Sequence, residues 1–231
     1  MESAPGMFAG EVDVCAPYLA KLPVTGAAVS LFGGSAAETL VSATDDLAAR
    51  LDELQFNLGE GPRWRALQTR LPVLVPDAQS PAGHEWPMFY RAIHGTRAAA
   101  LFVFPLTVGA VDLGVVELYR ASPGKLSRSD QATAAVLAGE TSFHLLRKIL
   151  NLSSPETDPV LEPALMSRRE IHQATGMVLA QSGATAAESL LLLRAYAFAH
   201  DLTLKETAAA VLERRLSFEP GNGGPGGRVL Q

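Results

Sequence analysis

The residues best suited to bind a metal or act as base or nucleophile are five histidines, His84, His94, His144, His172 and His200, and one cysteine, Cys15. No two of the histidines fall at metal-ligand spacing, so each is read as a surface or helix-end residue. A lone thiol can make no disulfide, CxxC redox pair or cysteine-rich zinc site within one chain, and is read as inert packing. The chain has no HExxH, GxSxG or Walker loop. It has one GxGxxG spacing, Gly221, Gly223 and Gly226, in a tail where no strand precedes it and no helix follows, so it is set aside. Nothing supplies a nucleophile with an oriented base, so an enzyme is not expected, and neither a cofactor nor a metal is called for.

A different chemistry is open to the carboxy-terminal third. Arg168 and Arg169 open a predicted helix, with His172 and Gln173 one turn on, and Arg194 and Tyr196 lie in the middle of the next. A guanidinium can contact phosphate and a phenol can stack on an unpaired base. Between residues 161 and 216, six basic residues face six acids, so charge alone favours a solvated interaction surface. In the amino-terminal half, Trp64, Trp86, Phe89, Tyr90, Phe102 and Phe104 could line a ligand cavity; ordinary burial habits favour their filling the core.

The elements that position these residues follow from punctuation and periodicity. Gly26–Phe32 and Glu38–Thr44 form a strand pair joined through Gly33 and Gly34. Asp45–Leu54 is a helix; the turn Gly59-Glu60-Gly61-Pro62 precedes a short helix, WRALQTR. Leu71–Val75 is a buried strand, and residues 98–105 and 111–119 form a central hairpin around Gly109. Strands with interspersed helices predict an α+β sandwich over residues 1–126. A connecting helix, opened by the cap signature Ser127–Asp130 and reaching about Leu152, and a proline-rich linker span 127–160.

Residues 161–216 carry three S/T-x-x-E capping boxes, Ser167/Glu170, Thr185/Glu188 and Thr203/Glu206, eighteen residues apart. They predict helices at about 168–181, 186–199 and 204–216, the first stopped by Gly183. Their core positions are Ile171, Ala174, Val178 and Leu179; Leu190, Leu193, Ala197 and Phe198; and Leu204, Ala208, Val211 and Leu212. Helices this short hold only when packed together, so a three-helix bundle is expected. Residues 217–231, rich in glycine and proline, are expected to be a disordered tail.

Composition agrees with two folded domains: 231 residues, 48% hydrophobic and 19% charged, with a net charge of −5 that excludes a generic polycation. The start lacks a basic and apolar leader, and the apolar run over 98–111 is broken by Pro105 and Gly109, so a cytoplasmic protein without membrane contact is expected.

The run from Arg168 to Leu216 resembles the ANTAR domain, a three-helix RNA-binding module of bacterial transcription antitermination regulators. Ile171, Ala174, Gly176 and Leu179 carry its I-x-x-A-x-G-x-x-L pattern. Ala186, Glu188, Leu193, Arg194 and Ala197 follow at the expected interval, then Leu204, Ala208 and Val211. Thr175 stands where many members have a basic residue. Residues 54–77, with the G-E-G-P turn, and 102–120 are similar to a GAF domain; Arg63 replaces the cysteine that often follows that turn. The resemblance implies an α+β GAF-like sandwich followed by an all-α three-helix ANTAR bundle. It further implies a GAF sensor, with a small-molecule ligand possible, controlling a bundle that binds paired stem-loops in leader transcripts, as a homodimer. The residues expected nearest RNA are Arg168, Arg169, Gln173, Gly176, Arg194 and Tyr196. The alternative is a ligand-binding sensory module whose helical bundle contacts protein or DNA.

Overall fold

The computed structural model describes residues 13–32, 38–80, 85–151, 168–219 and 228–229. The chain divides into two compact units, residues 1–32 with 40–163 and residues 33–39 with 164–231.

The first unit is built on a five-stranded sheet. Its elements run α1 (Ala16–Lys21), β1 (Gly26–Phe32), β2 (Glu38–Ala43), α2 (Asp46–Leu58), α3 (Pro62–Thr69), β3 (Val73–Val75), α4 (Pro87–Ile93), β4 (Ala100–Val108), β5 (Val111–Arg120) and α5 (Arg128–Asn151). The strand order is β2-β1-β5-β4-β3, with β1–β5, β5–β4 and β4–β3 antiparallel. The predicted central hairpin and the pairing of the first two strands are both present.

Side-chain alternation assigns the two faces. Ala100, Phe102, Phe104, Leu106, Val116 and Leu118 share one cluster with Tyr18 of α1 and Leu137 and Leu145 of α5. Leu101 and Tyr119 share the other face with Leu51, Phe89 and Ile93, and Val103 and Val115 pack with Ala66 of α3. Because β4 and β5 are covered on both faces, they read as continuous apolar runs instead of alternating ones. The six aromatic residues proposed above therefore do not surround one cavity: Phe102 and Phe104 lie in one cluster, Phe89, Tyr90 and Trp86 in another.

Local chemistry fixes the joints. Asp45 Oδ1 accepts from the amides of Leu47 and Ala48, both at 2.9 Å, capping α2. Gly59 ends that helix in the left-handed region at φ 66°, and Gly61 takes φ 132°, so two glycines let the chain reverse before Pro62 starts α3. Between them Glu60 accepts from the Phe89 amide at 2.7 Å. Two expectations need correcting. The Leu71–Val75 segment is not a buried strand: β3 is a half-buried edge beginning after Pro72, which has no amide to donate, and Leu71 is exposed. Helices α1 and α4, of six and seven residues, were not anticipated, being too short to show a period.

The second unit holds three helices, α6 (Arg169–Ser182), α7 (Ala186–Ala199) and α8 (Leu204–Leu212). Thr185 and Thr203 each form the complete capping box with Glu188 and Glu206. The threonine amides donate to the glutamates at 2.7 and 2.8 Å, and these bonds hold both carboxyls below the usual range. The serine of the third box lies outside the described residues; α6 starts after Arg168 with no side-chain cap. Gly183 closes α6 at φ 71°, as expected.

Ile171, Ala174, Val178, Leu193, Ala197, Leu204, Ala208 and Val211 form the buried positions. Leu179 and Phe198 do not join them: they are 40% and 68% exposed, lying at the outer margin of their helices. The third helix stops at Leu212 because Arg214 turns the chain at φ 58°. Leu216, Ser217 and Phe218 then fold back and are buried, with Leu216–Ser217 (β6) pairing antiparallel to Arg228–Val229 (β7). The tail expected to be disordered from 217 is thus ordered at its start; residues 220–227 and 230–231 lie outside the description. Among the described residues no single helix is long and apolar enough to cross a membrane.

Candidate nucleic-acid interface

On α6, Arg169, Gln173 and Gly176 are all exposed, while Ile171, Ala174, Thr175 and Val178 face the core. The exposed three recur at i, i+4 and i+7, which brings them within about 60° of one another around the helix. Gly176 has ordinary helical backbone, and a Cβ built there would meet nothing within 4 Å. A glycine inside a helix costs about 1 kcal/mol relative to alanine. Neither backbone conformation nor internal packing accounts for it here.

The other expected contacts are placed differently. Arg168 is buried: its guanidinium lies 3.1 Å from the Glu38 carboxylate, a residue that groups with this unit, and both side chains are under a tenth exposed. It is therefore not on the exposed stripe. Arg194 and Tyr196 are half-buried on α7, two residues and so about 200° apart, which keeps them from sharing one contact face. Tyr196 stacks on His200 with ring centroids 3.9 Å apart and meets the edge of Phe218 at 5.8 Å. Thr175 is buried and its hydroxyl donates to the Ile171 carbonyl at 2.7 Å.

Residues 15–145 match the GAF domain family, and residues 160–212 match the ANTAR domain family. The chain is a GAF–ANTAR protein. Both families are regulatory. Among curated proteins none matches. Similar solved structures include a domain assigned to a two-component sensor histidine kinase of Sinorhizobium meliloti 1021, 20% identical, covering 61% of this chain and 91% of that one, TM-score 0.49. Others are the GAF domain of a phosphoenolpyruvate-protein phosphotransferase from Coxiella burnetii (13%, 57% and 77%, 0.46) and that of a sensor histidine kinase from Bacillus halodurans (14%, 58% and 90%, 0.45).

Sequence reasoning missed a buried polar network in the GAF unit of this GAF–ANTAR protein. Arg63 is fully buried. Its Nη2 lies 2.6 Å from Asp52 Oδ1, Nη1 donates to the Asp52 carbonyl at 2.9 Å, and Nε lies 2.9 Å from Glu117 Oε1. Gln55 donates to Glu117 at 2.7 Å and accepts from the Arg63 amide at 2.9 Å, and Ser30 donates to Asp52. The signal lay in Glu117, an acid set between the core residues Val116 and Leu118, and in the arginine after G-E-G-P. The cavity beside this network, lined by Leu51, Gln55, Leu101 and Glu117 among others, has a volume of about 10 Å³, room for a water at most.

Cys15 is fully buried, and burial pushes its thiol up to about 12. At pH 8 the thiolate, the reactive form, is then only about one part in ten thousand. The folded protein should resist alkylation by iodoacetamide at pH 8 and react fully in urea; mass spectrometry showing rapid labelling of the native chain would contradict this burial.

Proposed function

We propose that this GAF–ANTAR protein is a non-enzymatic, RNA-binding regulator of transcription antitermination. Its GAF unit receives a signal, α5 carries the state of that unit onward, and the ANTAR bundle binds stem-loops in leader transcripts in the cytoplasm, working as a homodimer. The observation that carries the RNA reading is the exposed stripe Arg169–Gln173–Gly176, whose glycine has no internal purpose. Arg169 supplies a cation for phosphate and Gln173 both a donor and an acceptor for a base edge, while Gly176 lets a sugar-phosphate backbone approach the helix. Of the two candidates on α7, Arg194 remains in the proposed contact set; Tyr196, on a different face and stacked on His200, leaves it, and Arg168 serves the fold instead. Any small-molecule signal would enter the GAF unit by displacing side chains around Gln55 and Glu117, given the small cavity there.

The test starts with RNA crosslinked to the full chain and recovered from total cellular RNA. Gly176→Leu should raise the melting temperature, since leucine is a far better helix former than glycine. The same change should weaken binding of the recovered RNA by roughly tenfold, about 1.4 kcal/mol. A gain in stability with unchanged gel-shift affinity would remove Gly176 from the contact surface.

A further inference from the structure

Helix α5 has a second face that its own domain leaves uncovered. Leu137, Ala138, Leu145 and Ala134 bury against the sheet. On the opposite side Val136, Phe143 and Leu150 are 62%, 59% and 60% exposed. They recur every seven residues, the interval at which one helix meets another along a shared seam. Ala132 and Gly139, one turn before Val136 and Phe143, lie on the same strip, both exposed, and Leu146 is half-buried at its edge. A Cβ at Gly139 would meet nothing within 4 Å, so this helix-interior glycine too has no internal reason.

We propose that this strip is the docking surface for a second copy of the chain, with the two α5 helices antiparallel. The inference rests on the homodimer in the functional reading above and assigns its interface. Large and small residues alternate so that the strip complements itself about one two-fold axis, near residue 141. In that register Phe143 lies over Gly139 of the second copy, Leu150 over Ala132 and Val136 against Leu146, the alternation of large and small that packs a helix pair. Glu140 and Arg147 flank the strip on one side and are both exposed. Helical side chains lean toward their own amino terminus, so in an antiparallel pair Glu140 and Arg147 of the second copy converge, and they do so twice. A parallel pair would instead stack Phe143 on Phe143 and Gly139 on Gly139, leaving a void, and would give Glu140 no cation. One strip carrying both charges, each placed for the other, favours a second copy over an unrelated partner.

The test is sedimentation of the full chain, without RNA, over micromolar concentrations. A dimer is expected. Phe143→Asp should raise its dissociation constant at least roughly thirtyfold, the scale of a central interface residue, while the far-ultraviolet circular dichroism spectrum is unchanged because Phe143 lies outside the core of its own domain. Glu140→Arg and Arg147→Glu should each weaken the dimer, and the two together should restore it. A monomer at every concentration, or a dimer indifferent to Phe143→Asp, overturns the proposal; failure of the double reversal to restore association overturns the antiparallel arrangement. Neither result touches binding of a single hairpin to the bundle, and loss of RNA binding with the dimer intact would overturn the RNA reading alone.

Discussion

Arg63→Met is expected to destabilise the GAF unit by about 3–5 kcal/mol, the scale of removing one partner from a buried ion pair. The substitution keeps most of the volume but leaves Asp52 and Glu117, fully buried and 7% exposed, without their cation. Domains are stable by only about 5–15 kcal/mol, so much of the margin would be gone. The loss should ease as pH is lowered far enough to protonate the two carboxyls, the reverse of ordinary acid denaturation. Arg63→Lys should not rescue it. Three separate nitrogens of the planar guanidinium are engaged, two on Asp52 and one on Glu117, and an ammonium cannot reproduce that fork. Urea unfolding followed by tryptophan fluorescence reads this unit alone, since Trp64 and Trp86 are the chain's only tryptophans. An unchanged midpoint for Arg63→Met would show that the network contributes little.

An RNA with two hairpins at the right spacing is expected to bind roughly a hundredfold or more tighter than either hairpin alone. The ANTAR bundle carries as many acids as bases between residues 161 and 216, so one bundle on one hairpin lacks the broad electrostatic attraction that usually supplies nucleic-acid affinity. The proposed dimer would present two such weak sites. Once the first hairpin is held, the second binds at an effective concentration set by the intervening RNA, which yields gains of about 10²–10⁴ without a new contact. Gel-shift titration with one-hairpin and two-hairpin RNAs measures the ratio. The ratio should collapse when the spacer is shortened until both sites cannot be reached together. Equal affinities for the two RNAs would rule out the paired mechanism.

Much of this architecture could be read from the chain because local signals and tertiary packing agree. Thr185 and Thr203 mark α7 and α8 to the residue, since a capping box must sit at a helix start. Gly109 and the apolar runs beside it yielded β4 and β5 for a similar reason: a hairpin needs its turn, and strands covered on both faces need continuous hydrophobicity. Legibility failed where partners are remote in sequence. The bond between Glu60 and the Phe89 amide, which ties the G-E-G-P turn to α4, spans 29 residues and leaves no periodic trace. Arg168 looked like Arg169 because a one-residue step round a helix turns exposure into burial, and the buried one meets Glu38, 130 positions earlier in the chain. Of the candidate contacts, the exposed spacing of Arg169, Gln173 and Gly176 follows from a 3.6-residue period, whereas the orientation of Arg194 depends on how neighbouring helices roll.

The seclusion of Cys15 has a practical side. Because the one native sulfhydryl is shielded, a cysteine introduced at an open position such as Gln173 or Ser129 would be the single handle for a maleimide dye or spin label, with no background to engineer away. Pairing such a label on the bundle with another on the sensory half would let distances be followed in the otherwise unaltered chain while candidate signals are added.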